Sequence, residues 1–244
     1  MHAMPTNPVS TPIDDPTRSL LRANVEEVRA RIAAAARRAG REPSSVTLVA
    51  ATKYVGPAVV RTLAGLGVRD LGENRVADAE EKSLGVEGVR WHLIGHLQRN
   101  KARRAAALFD AIHSVDSAAL AVALSRHATG RPTPLPVLIE VNLAGEATKS
   151  GVRGPADARA LAEEIRRLPG LALVGLMAMP PQKEDPEGSR GYFRTLAALL
   201  PGLGGPDSGL VHLSMGMSQD FEVAIEEGAT LVRVGSALFR GLDG

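Results

Sequence analysis

The sequence contains no cysteine among its 244 residues. This absence excludes disulfide bonds, thiolate metal sites and catalytic thiols. Aromatic residues make up only 3% of the chain and hydrophobic residues 44%, so the core must be built largely from aliphatic side chains. The formal net charge of +2 is too small to indicate binding to nucleic acid or to an anionic membrane surface.

Long hydrophobic runs are missing as well. The longest apolar stretch, around residues 171–179, is well short of the roughly 20 residues that span a bilayer. No charged-then-apolar signal segment opens the chain. These features predict a soluble, cytoplasmic protein that does not bind membranes.

The chain begins with a proline-rich segment and then turns periodic. Residues 1–16 carry four prolines and little apolar periodicity, which predicts a disordered or loosely attached arm. Apolar residues at helical spacing predict a helix over 17–38, ending before Gly40. Helix-length segments then alternate with eight predicted strands, at 46–52, 68–71, 90–94, 111–114, 137–142, 172–177, 210–213 and 231–234.

Alternating strands and helices predict a parallel sheet covered by helices. Eight such units within about 200 residues favour a single closed (β/α)8 TIM barrel, preceded by the extra N-terminal helix. An open doubly wound sheet is the structural alternative. The barrel is expected to form one domain over residues 17–244, with its functional groups at the carboxyl ends of the strands.

Two polar residues follow the first two predicted strands. Lys53 ends the first strand, and a lysine there is expected to point into the barrel mouth, where desolvation favours the neutral amine. A neutral amine attacks carbonyl groups to form imines. The alternative is an ammonium group that reaches out to water. Asn74 follows the second strand and could contact a ligand, although an isolated Asn more often caps a helix.

The third strand leads into a segment that contains His92 and His96. Two histidines could ligate a metal ion, but no acidic residue or third histidine is close to them in sequence, so no metal site is predicted. The cationic residues that follow are expected to form a solvated helix face: Arg99, Lys101, Arg103 and Arg104.

Glycine and serine residues follow the last two strands. Phosphate groups in α/β barrels are frequently bound by these two loops, because free backbone N–H groups and a helix N-terminus favour an anion. Gly216 and Gly235 would let the backbone approach closely, although ordinary turns have similar composition. The hydroxyl donors are Ser214, Ser218 and Ser236. Together with Lys53, these loops indicate a phosphorylated aldehyde, either pyridoxal 5′-phosphate (PLP) or an aldolase substrate.

Seven segments in this order resemble the PLP homeostasis protein family. They are Ala-Thr-Lys at 51–53, Gly-Glu-Asn-Arg at 72–75, Trp-His-Leu-Ile-Gly-His-Leu-Gln-Arg-Asn-Lys at 91–101, Asn142 with Lys-Ser-Gly at 149–151, Gly-Leu-Met-Ala-Met at 175–179, Leu-Ser-Met-Gly-Met-Ser at 213–218 and Val-Arg-Val-Gly-Ser at 232–236. The family is similar to the barrel domain of alanine racemase standing alone. The resemblance spans residues 18–241, and only the N-terminal arm lies outside it.

The resemblance implies that PLP is bound as a Schiff base to Lys53, with Asn74 near the ring. It places Arg233 near the pyridine nitrogen, where a cation discourages protonation and weakens the ring as an electron sink. The implied phosphate-side residues are Ser214, Met217, Ser218, Gly235 and Ser236. Lys149 matches a family lysine that is linked to cofactor exchange, or it is simply a surface lysine; a second PLP site at Arg104 or Lys149 stays open.

A PLP-dependent amino-acid racemase is the rival function. Two-base racemisation needs an acid/base group on each face of the substrate carbon, and in alanine racemase the second is a tyrosine of a C-terminal β domain. Here the chain ends at Gly244, soon after the eighth unit. Its two tyrosines are Tyr54, expected on the opposite side of the strand from Lys53, and Tyr192, on an outer helix.

The sequence therefore predicts a non-catalytic, monomeric PLP carrier or buffer in vitamin B6 homeostasis. Apo forms of PLP-dependent enzymes are the expected recipients of the cofactor. A Schiff-base aldolase is a weaker alternative, because no acidic residue adjoins Lys53.

Overall fold

Eight parallel strands alternate with helices in the computed structural model, which describes residues 13–146, 150–181 and 183–242. In chain order the elements are α1 (Asp15–Arg38), β1 (Thr47–Ala51), α2 (Pro57–Gly65), β2 (Asp70–Glu73), α3 (Val76–Ser83), β3 (Arg90–Leu93), α4 (Ala102–Leu108), β4 (Ala111–Val115), α5 (Ala118–Ala128), β5 (Leu135–Glu140), α6 (Gly154–Arg167), β6 (Leu171–Met177), α7 (Arg190–Gly202), β7 (His212–Ser214), α8 (Phe221–Glu226) and β8 (Leu231–Val234).

Each strand pairs with its neighbours in sequence, and β1 also pairs with β8, with Thr47 opposite Leu231. This last pairing closes the sheet into a barrel. The predicted (β/α)8 barrel with an extra N-terminal helix is thereby confirmed, and the open sheet is excluded. The carboxyl ends of the strands form one rim, which is called the barrel mouth below.

Helix α1 begins two residues before the predicted start at 17. The reason is a cap: the Asp14 carboxylate accepts a hydrogen bond of 2.9 Å from the Thr17 amide, which fixes the first turn. The buried Asn24 amide donates to the carbonyls of Leu238 and Arg240, so α1 is attached to the segment after β8. Ile13 packs on the core, whereas residues 1–12 of the predicted arm lie outside the described residues.

Strand β2 lies two residues later than predicted, because Gly72 belongs to the strand rather than to a turn. A Cβ atom at Gly72 would lie 2.9 Å from Ile94 Cδ1 and 3.0 Å from Val49 Cγ1. The strand thus needs a residue without a side chain where β1 and the segment after β3 approach it closely. Glu73 consequently ends β2 inside the fold instead of following it.

The core is mainly aliphatic, as the composition predicts. Inside the barrel a small buried cluster consists of Val49, Ile94, Leu138, Met177 and Leu231. The larger core lies between the strands and the surrounding helices, and it contains the largest fully buried side chains of the described residues, Phe109, Phe193 and Phe221. No helix in the described ranges is both long and apolar enough to cross a membrane.

Candidate functional site at the barrel mouth

Lys53 lies in the turn that follows β1, at the barrel mouth. Its side chain is exposed, and its Nζ atom lies 4.5 Å from the centre of the Tyr54 ring. The expected desolvation of this lysine is therefore not found in this structure. The expectation that Tyr54 points to the opposite side is wrong: β1 ends at Ala51, so strand alternation no longer governs residues 53 and 54.

A buried ion pair lies directly behind the Lys53 turn. Lys82 Nζ donates to Glu73 Oε1 at 2.7 Å and to the Thr52 carbonyl at 2.8 Å, and the Thr52 hydroxyl donates to the same carboxylate oxygen at 2.5 Å. These bonds connect α3 and β2 to the residue just before Lys53. This group was not predicted from the sequence, although Lys82 follows the buried Val76 and Ala79 at three-residue intervals on one face of α3.

Asn74 occupies the bend between β2 and α3 and is half-buried. Its backbone packs against Gly95, where a Cβ atom would lie only 2.5 Å from the Asn74 carbonyl oxygen. Asn74 lines a cavity of about 350 Å³ together with His96, Gln98 and Lys101. The amide is thus held beside an open space near the barrel mouth, and this position suits contact with a ligand.

The loops after β7 and β8 are joined by one hydroxyl group. Ser218 Oγ accepts hydrogen bonds from the backbone N–H groups of Gly235 and Ala237, at 3.1 and 3.2 Å. Gly216 has a φ of +88°, and a Cβ atom there would lie 2.6 Å from Ala224 Cβ. Two backbone N–H groups therefore converge on a single oxygen atom at the mouth, which is the donor arrangement that favours an anion.

The remaining predicted residues of these loops differ in exposure. Ser236 is exposed, whereas Met217 is half-buried and its backbone N–H donates to Asp220 Oδ1 at 2.8 Å. The Ser214 side chain is fully buried, with its hydroxyl hydrogen-bonded to Arg233 Nη1 at 2.6 Å and to His113 Nδ1 at 2.8 Å. The expectation that this hydroxyl is available to a phosphate is corrected, because Ser214 is part of β7 and points into the barrel.

Arg233, on β8, is only 3% exposed. Its Nη2 donates to the Ala178 carbonyl at 2.9 Å, so both terminal nitrogens have fixed partners. Burial lowers the pKa of Arg233 to about 10, which leaves the side chain positively charged at neutral pH. The side chain is therefore a rigid cation at the end of a polar network that crosses the barrel.

That network continues from Ser214 to Asp70 on the far side of the barrel. His113 Nε2 lies 2.9 Å from His92 Nδ1, and His92 Nε2 lies 2.8 Å from Asp70 Oδ1. A carboxylate only accepts, and a guanidinium only donates. One arrangement satisfies every member with neutral imidazoles: Arg233 donates to Ser214, Ser214 to His113, His113 to His92, and His92 to Asp70.

The pKa values of His113 and Asp70 are displaced from their ordinary values. Burial lowers the pKa of His113 well below its usual value, which favours the neutral imidazole. Burial alone would raise the pKa of Asp70, but hydrogen bonds from His92 and Arg90 lower it overall. Arg90 makes two hydrogen bonds to Asp70, of 2.7 and 2.8 Å.

His96 is separated from His92 and lies in a different environment. His96 Nδ1 is 3.5 Å from Asp116 Oδ2, and one ligand atom each of His96, Asp116 and Glu140 lie within 4.8 Å of one another. Acidic partners, which are absent near His96 in sequence, are supplied by the residues at the ends of β4 and β5. Burial raises the pKa of Glu140, against the lowering effect of a hydrogen bond from Ser150.

Of the two residues considered for a second cofactor site, the structure describes only Arg104. Arg104 forms an ion pair with Glu80, in which Nε donates to Oε1 at 2.7 Å. Lys149 lies outside the described residues.

Comparisons with known proteins place this architecture in a family. The profile of the alanine racemase N-terminal domain matches residues 22–243. The chain is 43% identical to the pyridoxal phosphate homeostasis protein of Pseudomonas aeruginosa, over 92% of this chain and 97% of that protein. It is also 43% identical to the protein of that name from Aquifex aeolicus, over 88% of this chain and 95% of that protein.

Solved structures give the same result. PipY of Synechococcus elongatus, solved with PLP bound, aligns with a TM-score of 0.78 and 34% identity, covering 90% of this chain and 99% of that chain. An alanine racemase of Clostridium difficile aligns with a TM-score of 0.71 but only 16% identity, covering 91% of this chain and 56% of that chain. The second likeness concerns the fold alone.

Proposed function

Because this chain belongs to the family of pyridoxal phosphate homeostasis proteins, we propose that it binds PLP as a Schiff base on Lys53 and acts in intracellular PLP homeostasis. The observation that carries the proposal is the meeting of three groups at one barrel mouth. They are the accessible amine of Lys53, the buried cation of Arg233 and the backbone N–H groups that converge at Ser218.

The loops after β7 and β8 fit a phosphate group. The N–H groups of Gly235 and Ala237 already point to one oxygen acceptor, the hydroxyl of Ser218. A phosphate would take over such donors, with the hydroxyls of Ser218 and Ser236 and the backbone of Met217 around it. The role proposed for Ser214 differs: its hydroxyl holds the Arg233 guanidinium instead of the phosphate.

Arg233 fits the role of a cation near the pyridine nitrogen, with Asn74 near the ring. PLP supplies an electron sink when its nitrogen is protonated, and a neighbouring fixed cation weakens that property. The guanidinium cannot move away easily, because it donates to Ser214 and to the Ala178 carbonyl. This arrangement favours holding the cofactor over using it for chemistry.

We propose a carrier or buffer without catalytic activity, which delivers PLP to apo forms of PLP-dependent enzymes. Racemisation needs two acid/base groups on opposite faces of a substrate. Tyr54 shares the turn and the side of Lys53, and Tyr192 lies on α7, outside the barrel. Neither position suits a second base.

The proposal includes a cytoplasmic, monomeric protein. A sequence without cysteine is compatible with a reducing compartment. The described ranges expose few large hydrophobic residues, which favours a monomer because obligate dimer interfaces are more hydrophobic: Leu20, Tyr54, Leu84, Met179 and Val211. Sedimentation velocity at micromolar concentration would measure the mass directly, and a dimer would contradict the proposed monomeric state.

The Schiff base is tested by borohydride reduction of the protein loaded with PLP, followed by peptide mass spectrometry. We expect a stable adduct on the peptide that contains Lys53 and no adduct on that peptide in Lys53→Ala. The matched control is Lys183→Ala, which removes an exposed lysine of the segment between β6 and α7 and should leave the adduct unchanged. An adduct elsewhere, or none, would overturn the assignment of Lys53.

The carrier function is tested by incubating the loaded protein with an apo PLP-dependent enzyme and following the recovery of that enzyme's activity. Recovery is expected with the parent protein and not with Lys53→Ala. The same preparation is incubated with L- and D-alanine. A rate of alanine racemisation higher than that of Lys53→Ala would contradict the proposal that the protein is not a catalyst.

A further inference from the structure

We propose that His96, Asp116 and Glu140 bind a divalent transition-metal ion at the barrel mouth. The three side chains come from consecutive parts of the barrel: the loop after β3, the residue just after β4 and the last residue of β5. Their potential ligand atoms lie within 4.8 Å of one another. Its residues follow β3, β4 and β5, whereas Lys53 follows β1, although His96 also lines the cavity beside Asn74.

The distances match a metal centre. Two ligand atoms at about 2.1 Å from a tetrahedral Zn²⁺ are about 3.4 Å apart. His96 Nδ1 and Asp116 Oδ2 are already 3.5 Å apart. Because the His96 side chain is more than half exposed, it can turn the small amount that the third ligand requires.

Glu140 provides the independent observation. Glu140 is only 4% exposed, and its Oε1 accepts a hydrogen bond of 2.9 Å from Ser150 Oγ. Its Oε2 is buried and has no hydrogen-bond partner within the described ranges. A buried carboxylate oxygen without a partner is unfavourable unless a cation or a donor occupies the space in front of it.

The donor set selects the class of ion. One imidazole and two carboxylates, without any thiolate, suit Zn²⁺ or Mn²⁺. The two carboxylates would balance the charge of a divalent cation. Three protein ligands leave further coordination positions open toward the mouth, as in sites that bind a small ligand or water in addition to the protein.

Calorimetric titration of the chelator-treated full chain with Zn²⁺ tests the proposal. We expect one equivalent to bind, and binding weaker by at least about tenfold in both His96→Ala and Glu140→Gln. Glu140→Gln is nearly isosteric and keeps an acceptor for Ser150, and the circular dichroism melt of each variant verifies folding. His127→Ala is the matched control, because it removes an exposed histidine of α5.

The outcomes separate the site from other zinc-binding groups. Unchanged affinity in His127→Ala and Lys53→Ala, together with the loss in the two ligand variants, supports the proposal. Absence of zinc binding in the parent chain overturns it. Full affinity in Glu140→Gln and His96→Ala also overturns it, as does loss of binding in Lys53→Ala, which would assign the ion to the bound cofactor.

Discussion

At the scale of single residues, the position of Arg233 depends on the hydroxyl of Ser214. This hydroxyl accepts from Arg233 and is adjacent to His113, and all three side chains are buried. Ser214→Ala removes the shared partner and leaves a buried cation and a buried imidazole nitrogen less satisfied. We expect the free energy of unfolding to fall by about 1–3 kcal/mol, measured by urea titration.

The exposed Ser236→Ala is the matched control for Ser214→Ala, and a change of no more than about 0.5 kcal/mol is expected for it. Equal effects of the two substitutions would show that the Ser214 hydroxyl contributes no more than a surface group does.

Gly95 determines the position of Asn74 by having no side chain. A Cβ atom there would lie 2.5 Å from the Asn74 carbonyl oxygen and 2.7 Å from its Cα. Because both contacts are with backbone, Gly95→Ala must shift the bend that carries Asn74. A loss of about 1–3 kcal/mol of unfolding free energy is expected, together with weaker retention of PLP on dialysis.

Gly130→Ala serves as the comparison, since a Cβ atom at that position meets no atom within 4 Å. If Gly95→Ala were as stable as Gly130→Ala and retained PLP equally well, the bend at Asn74 would be more adaptable than this packing indicates.

At the scale of elements, α3 is joined to the Lys53 turn through the buried pair of Lys82 and Glu73. Lys82→Met would leave the fully buried carboxylate of Glu73 without its counter-ion. We therefore expect the free energy of unfolding to fall by about 3–5 kcal/mol. Replacing both residues by Met removes the uncompensated charge, so the double variant should be more stable than the single one.

A thermodynamic cycle of Lys82→Met, Glu73→Met and the double variant measures this coupling. If the losses of unfolding free energy in the two single variants add up to the loss in the double variant, the two side chains are not coupled. The coupling also bears on function, because Lys82 donates to the carbonyl of Thr52, the residue before Lys53.

The same scale shows what the sequence could predict. The pattern of short apolar runs located all eight strands within a few residues, since a parallel strand buried on both faces is apolar along its whole length. It ended β2 at residue 71, whereas the tightly packed Gly72 and the following Glu73 belong to the strand. It also gave Tyr54 the wrong side, because local spacing does not reveal where a strand stops.

The polar groups of the site were less predictable because their partners are distant in sequence. His113 and Ser214 are 101 positions apart, yet their side chains form one hydrogen bond. Glu140 joins His96 and Asp116 only through the pairing of β3, β4 and β5. A sequence motif indicates which residues belong to the site. It does not show whether the Ser214 hydroxyl is free to bind phosphate or is buried beside Arg233, because that depends on the register of β7 against its neighbours.

At the scale of the whole molecule, the buried imidazoles make stability depend on pH. Burial lowers the pKa values of His113 and His212 in the folded protein, whereas unfolding returns them to about 6.5. The unfolded chain therefore binds more protons than the folded one below that pH. The stabilisation that comes from keeping these histidines neutral is fully present above about pH 6.5. It is lost progressively as the pH falls toward their folded-state pKa values.

Urea unfolding at several pH values between about 7.5 and 5.5 should thus show a falling free energy of unfolding, with a slope of up to about 1.4 kcal/mol per pH unit for each such histidine. His113→Gln should reduce this slope, whatever its effect on stability at pH 7.5, because glutamine does not titrate. The raised pKa of Glu140 acts in the opposite sense, because the folded protein holds a proton on this carboxyl more readily than the unfolded chain does. An unchanged slope in His113→Gln would mean that the network crossing the barrel already accommodates a protonated imidazole.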